Sequence, residues 1–286
     1  METKALFDPN TYTLTYVVFD PDSRDAVVID PVMDLDPLAW RVSTTTTDQV
    51  RAFVAEKSLR VRYVLETHAH ADHLSGMQPL REAFGAPTAI GENITVVQSL
   101  FAKAFHMPGL ATDGSQWDEL LVDGQRLSAG TINIDVIHTP GHTPACVSYR
   151  IGDAVYTGDA LFMPDYGTGR CDFPNGSASD LYDSVAGKLY KLPDATAVFV
   201  GHDYLPNGRP LAYETTIGQS KEANVRLRAT TSKTEFVSAR EERDRQLPPP
   251  KLILPSLQVN IAAGQLPEPE ANGRRYFKIP INFLGG

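Results

Sequence analysis

Three of the seven histidines in this 286-residue chain fall within six residues of one another, in the stretch "VLETHAHADHLSG" at 64–76, with an aspartate among them. His68, His70, Asp72 and His73 are imidazole and carboxylate donors at spacings that let one loop turn several of them toward a common point. Such donors suit a bound metal ion. Three further segments carry the same chemistry. "HTPGHT" presents His142 behind Gly141, which permits a sharp turn. "YTGDALF" places Asp159 directly after a glycine, and "VFVGHDY" ends in His202 and Asp203. His68, His142 and Asp159 are therefore expected to ligate a metal. For His70, Asp72, His73 and His202 two roles stay open: ligands, or hydrogen-bond partners that orient the ligands. His138 reads as a histidine holding its turn, and His106 has no supporting context.

Each of these segments follows a run that reads as a β-strand, so four strand ends converge on the site, as in α/β enzymes whose rigid strands position functional loops. Residues 12–19 and 26–29 are β-rich runs joined by "DPDSRD", a hairpin composition. Asp48 is expected to cap a helix over "QVRAFVAEKSLR", and a strand at 62–65 feeds the histidine cluster. "MQPLREAFG" reads as a helix stopped by Gly85, and "PTAIG" as a short strand. In the second half, "INIDVIHTPGHTPACVSYRI" is strand, loop, strand; Ser179 is expected to cap a helix over "DLYDSVAGKLYKLP". From about Arg209 the chain turns charged and helix-like, then proline-rich. Its apolar content predicts an extension, 209–286, packed on a catalytic domain, 1–208, rather than a disordered tail or an independent domain.

The length allows a sizeable core. The two cysteines, Cys146 and Cys171, form neither a disulfide framework nor a Cys-x-x-Cys zinc site. Cys171 reads as a small buried thiol rather than a nucleophile. A net charge of −9, from 35 acidic and 26 basic residues, argues against nucleic acid or an anionic membrane as partner. No apolar run approaches membrane-span length, and the N-terminus lacks a signal-peptide core, so a soluble, cytoplasmic protein is expected.

Taken in order, "THAHADH", "HTPGHT", "TGDALF" and "VGHDY" resemble the metallo-β-lactamase superfamily over about residues 12–204. The resemblance implies an α/β fold: an αββα sandwich of two mixed sheets flanked by helices, with metal at one edge. Glyoxalase II-like hydrolases of this superfamily would hold one zinc with His68, His70 and His142 and a second with Asp72, His73 and His202, bridged by Asp159. Their hydroxide would attack a thioester or lactam carbonyl. The stretches "GDALFMPDYGTGRCDF" and "LPPPKLILPSLQVN" look instead like the persulfide dioxygenase branch. That likeness implies one Fe(II) on His68, His142 and Asp159, oxidising glutathione persulfide with O₂ to sulfite and glutathione. The loop between Asp159 and Arg170 is slightly longer than in the mitochondrial enzymes of that branch, and the extension is longer too.

Arg170 and Asp172 are expected to pair and brace the loop below the site, with substrate contact by Arg170 as the alternative. Tyr204 stands where glyoxalase II-like proteins present a tyrosine to glutathione. Arg226, Arg228 and Lys251 are basic candidates for its carboxylates. Three functions are carried forward: an iron persulfide dioxygenase, a dinuclear zinc hydrolase of a glutathione thioester or related acyl compound, and a metal-stabilised binding or sensor protein; the alternative to one Fe(II) is one or two Zn(II). A homodimer is an expectation from the family alone.

Overall fold

The structure, a computed structural model, describes residues 1–282; the last four residues of the expected extension, 283–286, lie outside them. The first half runs β1 (Glu2–Asp8), β2 (Thr13–Phe19), β3 (Asp25–Ile29), β4 (Val32–Asp36), β5 (Arg41–Ser43), α1 (Thr45–Glu56), β6 (Arg60–Leu65), β7 (Leu74–Ser75), α2 (Met77–Phe84), β8 (Thr88–Gly91), α3 (Ile94–Ala104) and β9 (Glu119–Leu121). The second half runs β10 (Arg126–Ala129), β11 (Ile132–His138), β12 (Val147–Ile151), β13 (Ala154–Tyr156), α4 (Ala178–Gly187), β14 (Ala197–Phe199), β15 (Glu214–Thr216), α5 (Ile217–Ala223), α6 (Lys233–Asp244) and α7 (Ile253–Asn260).

Two six-stranded mixed sheets, β1-β2-β3-β6-β8-β9 and β10-β11-β12-β13-β14-β15, pack face to face, with helices on both outer faces. This is the αββα sandwich expected. Strand β2 shows how the sequence builds it. Its residues are buried on both faces. Leu14, Tyr16 and Val18 meet Ile134, Val136 and Tyr149 of the opposite sheet. Val17 and Phe19, pointing the other way, meet Val50, Leu80 and Phe101 from the helices. The second sheet is covered by α4 and α6 through Leu181, Val185 and Phe236. A small third sheet, β5-β4-β7, ties the histidine loop to the region after β3. Among the described residues no helix is long and apolar enough to cross a membrane.

Two capping assignments shift. Helix α1 begins before Asp48, which lies in its first turn. The Asp34 carboxylate, reaching from β4, accepts the Thr46 N–H at 2.9 Å and the Thr46 hydroxyl at 2.8 Å. A tertiary carboxylate thus does the work assigned to Asp48. Helix α4 is capped by Ser177, not Ser179: its Oγ accepts the Asp180 N–H at 3.1 Å. Residues beyond 208 are woven into the fold from the start, since β15 pairs antiparallel with β14. Helix α7, inside the proline-rich stretch, places Ile253, Leu257 and Ile261 in the cluster beneath the first sheet.

Candidate metal centre

The first contributor follows β6. Beyond Leu65, the Thr67 N–H donates to Asp30 Oδ1 at 2.7 Å and the Thr67 carbonyl accepts the Val147 N–H at 2.9 Å, fixing the chain as it leaves the sheet. The Thr67 hydroxyl donates to Asp30 Oδ2 at 2.8 Å, so its lone pairs face His68 Nδ1, 3.0 Å away. That arrangement makes Nδ1 the protonated nitrogen and leaves His68 Nε2 as a lone pair. His142 is set in the same way. Its Nδ1 lies 2.7 Å from the Arg170 carbonyl, which can only accept, so Nε2 is free to ligate. His73 Nδ1 meets the Leu74 carbonyl at 3.1 Å, with the same consequence.

Two glycines allow these approaches. Gly141 has φ +141°, and a Cβ there would lie 2.4 Å from Leu181 Cα in α4. Gly158 has φ +48°, and its Cβ would meet the Thr67 hydroxyl at 2.4 Å. Any side chain at either position would push apart the segments carrying His142, Asp159 and His68.

The structure brings all seven predicted residues together. Donor atoms of His68, His142 and Asp159 lie within 4.8 Å of one another, as do those of His70, Asp72 and His73. His202 joins the two sets: its Nε2 is 3.4 Å from Asp159 Oδ1 and 3.4 Å from Asp72 Oδ2. His142 Nε2 lies 3.5 Å from Asp159 Oδ2. The test of whether a cation belongs here is the state of these atoms. His68 Nε2, His70 Nδ1, His73 Nε2, His202 Nε2 and Asp159 Oδ1 are buried without a hydrogen-bond partner. Orphaned buried polar atoms are costly, and this many in one cluster fit a bound ion.

Electrostatics agree. Burial, with neighbouring imidazoles adding to it, holds His68 well below the ordinary histidine range and brings His73 down to about 4, so both keep a lone pair. Burial opposes the charge on Asp72, but His202 and His73 outweigh it and keep the carboxylate low. His70 differs. Burial works against its charge too, yet Asp30, 3.2 Å from Nε2, and Glu66 raise it to about 10.

The centre opens on a cavity of about 900 Å³, with Asp72, His73, His142 and Asp159 in its wall. Tyr12, Tyr166 and Tyr204 form an aromatic side; Tyr204 stacks on His202 with centroids 5.3 Å apart. Burial, with Asp159 and Asp72, pushes the Tyr204 phenol well above its ordinary range, so it remains a proton donor.

Arg170 lines the cavity and grips Asp172 through two bonds, 2.6 and 2.5 Å long, while its Nη1 donates to the Pro248 carbonyl at 2.8 Å. The expected brace therefore spans to the extension. Arg226 and Arg228 are exposed and do not line the cavity; the Arg226 stem packs beside Gly167. Lys251 does line it, joined by Arg240 and Arg243, which the sequence reading passed over. Their signal, two arginines three apart on a helix, is hidden within the charged run "AREERDR". Asp30 was also missed, although "VVID" has the strand-end carboxylate pattern used for Asp159. His138 holds its turn as expected, with Nε2 3.0 Å from the Pro144 carbonyl. His106 is exposed, away from the centre. Cys146 and Cys171 are buried; burial pushes Cys146 up to about 12 and Cys171 higher, so neither supplies a thiolate.

With this fold and centre, the chain belongs to the metallo-beta-lactamase superfamily, whose description matches residues 9–202. It is 50% identical to a beta-lactamase hydrolase-like protein of Xylella fastidiosa, over 99% of this chain; the chain spans 65% of that relative's length. It is 32% identical to the mitochondrial persulfide dioxygenase ETHE1 of Bos taurus, over 91% of this chain and 88% of that protein. The crystal structure of ETHE1 from Myxococcus xanthus superposes with a TM-score of 0.75 at 36% identity, covering 93% of this chain and all of that one.

Proposed function

We propose that this chain is an iron-dependent persulfide dioxygenase that oxidises glutathione persulfide with O₂ and water to sulfite and glutathione. The observation that carries the reading is the compact set of His68, His142 and Asp159, of which His142 and Asp159 line the cavity. Two imidazoles and one carboxylate would hold an iron ion while leaving it room to take further ligands. Likeness to persulfide dioxygenases that continues beyond residue 202 into the extension supports it. The terminal sulfur goes from oxidation state 0 to +4, and O₂ accepts the four electrons; water supplies the third oxygen. Iron(II), when bound, supplies the one-electron chemistry that triplet O₂ requires.

The chain's own residues do the remaining work. The Arg170 carbonyl and Thr67 hydroxyl fix the tautomers of His142 and His68. His202, with Nε2 3.4 Å from Asp159 Oδ1, flanks that carboxylate. The tyrosine wall narrows the approach to the centre. Arg243 and Lys251, which line the cavity without an acidic partner among the described residues, anchor substrate carboxylates by charge-assisted bonds.

A second reading, a dinuclear zinc hydrolase of a glutathione thioester, is favoured by the His70–Asp72–His73 set and the placement of His202 between the two sets. Oxygen-electrode assays with glutathione persulfide separate them. The dioxygenase reading expects one sulfite formed per O₂ consumed; thioester hydrolysis with no O₂ uptake would replace it with the hydrolase reading.

A further inference from the structure

The loop that carries most of the donors is held at its two ends by different parts of the chain. Its first half, 66–68, is anchored within the sandwich. The Tyr149 hydroxyl donates to the Glu66 carbonyl at 2.7 Å, and Asp30 and Val147 fix Thr67 on both sides. Of these only Asp30 reaches further, with Oδ1 3.2 Å from the His70 ring; none reaches Asp72, His73 or the backbone of the second half. The second half, 70–75, is irregular apart from the two residues of β7, so its backbone groups need partners from elsewhere.

β4 pairs with β7 at Leu74 and Ser75, and further partners come from one side chain at the end of α7. Asn260 is fully buried. Its Oδ1 accepts the Ser75 N–H at 2.7 Å, and its Nδ2 donates to the His70 carbonyl at 2.7 Å and the His73 carbonyl at 2.8 Å. An amide offers one acceptor and two donors in one plane, and all three are used here. The three groups it joins bracket Asp72, so Asn260 sets the curvature of the segment bearing three donors. Helix α7 is itself held firmly: Gln98 of α3, also fully buried, donates to the Ile261 carbonyl at 2.9 Å, and Leu257 and Ile261 fill the core beneath.

The geometry points to Asn260 as a positioning residue of the metal centre, supplied by the extension and preorganising the half of the loop that carries His70, Asp72 and His73. This rests on the reading of the cluster as a metal site, not on the dioxygenase reaction. No other chemistry at this position serves the same three groups. A serine is too short to span them, and an aspartate would set a carboxylate oxygen against two carbonyl oxygens.

The test is titration of the metal-free full-length protein with Co(II), followed by its visible absorption, beside the thermal midpoint of each variant. Asn260→Ala and the milder Asn260→Ser are compared with Leu257→Ala, which loosens the same helix while leaving the three Asn260 hydrogen bonds in place. Both Asn260 variants are expected to bind Co(II) at least about tenfold more weakly than the parent, the scale of losing an orienting partner. Leu257→Ala is expected to bind within about twofold of it, even where its midpoint falls as far. Unchanged affinity in the Asn260 variants, or equal weakening by Leu257→Ala, overturns the proposal while leaving the metal site standing. A parent protein that binds no Co(II) overturns the metal reading itself.

Discussion

At the scale of single residues, the centre is defined by which nitrogen of each ring is left without a proton. His142 and His68 each hand one ring N–H to a neighbouring oxygen, so their remaining nitrogens can only accept a cation or lie idle. Burial prevents His68 from escaping that choice by becoming charged. The seven residues should therefore differ in what their loss does. His142→Ala removes a ligand and is expected to abolish iron binding and O₂ consumption together. His202→Ala removes the imidazole that flanks Asp159 and is expected to weaken iron binding by about 10- to 100-fold, retaining ion at saturating iron. Metal content and O₂ uptake of the two purified variants check this; equal loss in both would indicate that His202 is a ligand of a shared two-ion site.

At the scale of elements, strand ends and tight turns do the positioning. His68, His142, Asp159 and His202 were legible because a strand, then a glycine or short polar turn, then a donor is a local pattern, and each of the four occurrences is complete within about ten residues. The partners that hold them were not legible. Asp34 capping α1, Asp30 beneath Thr67 and Asn260 beneath His70 act across 12, 37 and 190 residues of chain. Nothing local in the sequence distinguishes those side chains from other buried polar groups. Helix α7 was obscured for a related reason: a proline within it and three before it read as a break, whereas burial of Leu257 and Ile261 holds the helix in place. The turn at Gly141 offers a direct test at this scale. Gly141→Ala forces a Cβ onto the backbone of Leu181 and is expected to cost about 1–3 kcal/mol by overpacking. For a chain of this size that lowers the melting temperature by several degrees, on the order of 2–4 °C per kcal/mol. Iron affinity should fall with it, because α4 and His142 cannot both keep their places. A variant with unchanged melting temperature and affinity would contradict this account of the turn.

At the scale of the whole molecule, the segment beyond residue 208 is structurally continuous with the sandwich. It supplies β15 to the second sheet, Phe236 to the outer layer of that sheet, and α7 to the base of the histidine loop. Burying Ile217, Phe236, Leu257 and Ile261 contributes roughly 1.5–3 kcal/mol each. Their sum, about 6–12 kcal/mol, is comparable with the entire net stability of a typical domain, about 5–15 kcal/mol. A chain ending at residue 208 is accordingly expected not to fold, showing no cooperative thermal transition by circular dichroism. A cooperative transition in that fragment would make residues 1–208 a self-sufficient domain.

The central claim is that the two-histidine, one-carboxylate set holds a single redox-active ion while the remaining donors support it. Elemental analysis of protein purified without oxygen tests this most directly. One iron per chain and little zinc are expected; two zinc ions per chain, with iron absent, would show that the set does not hold a single redox-active ion.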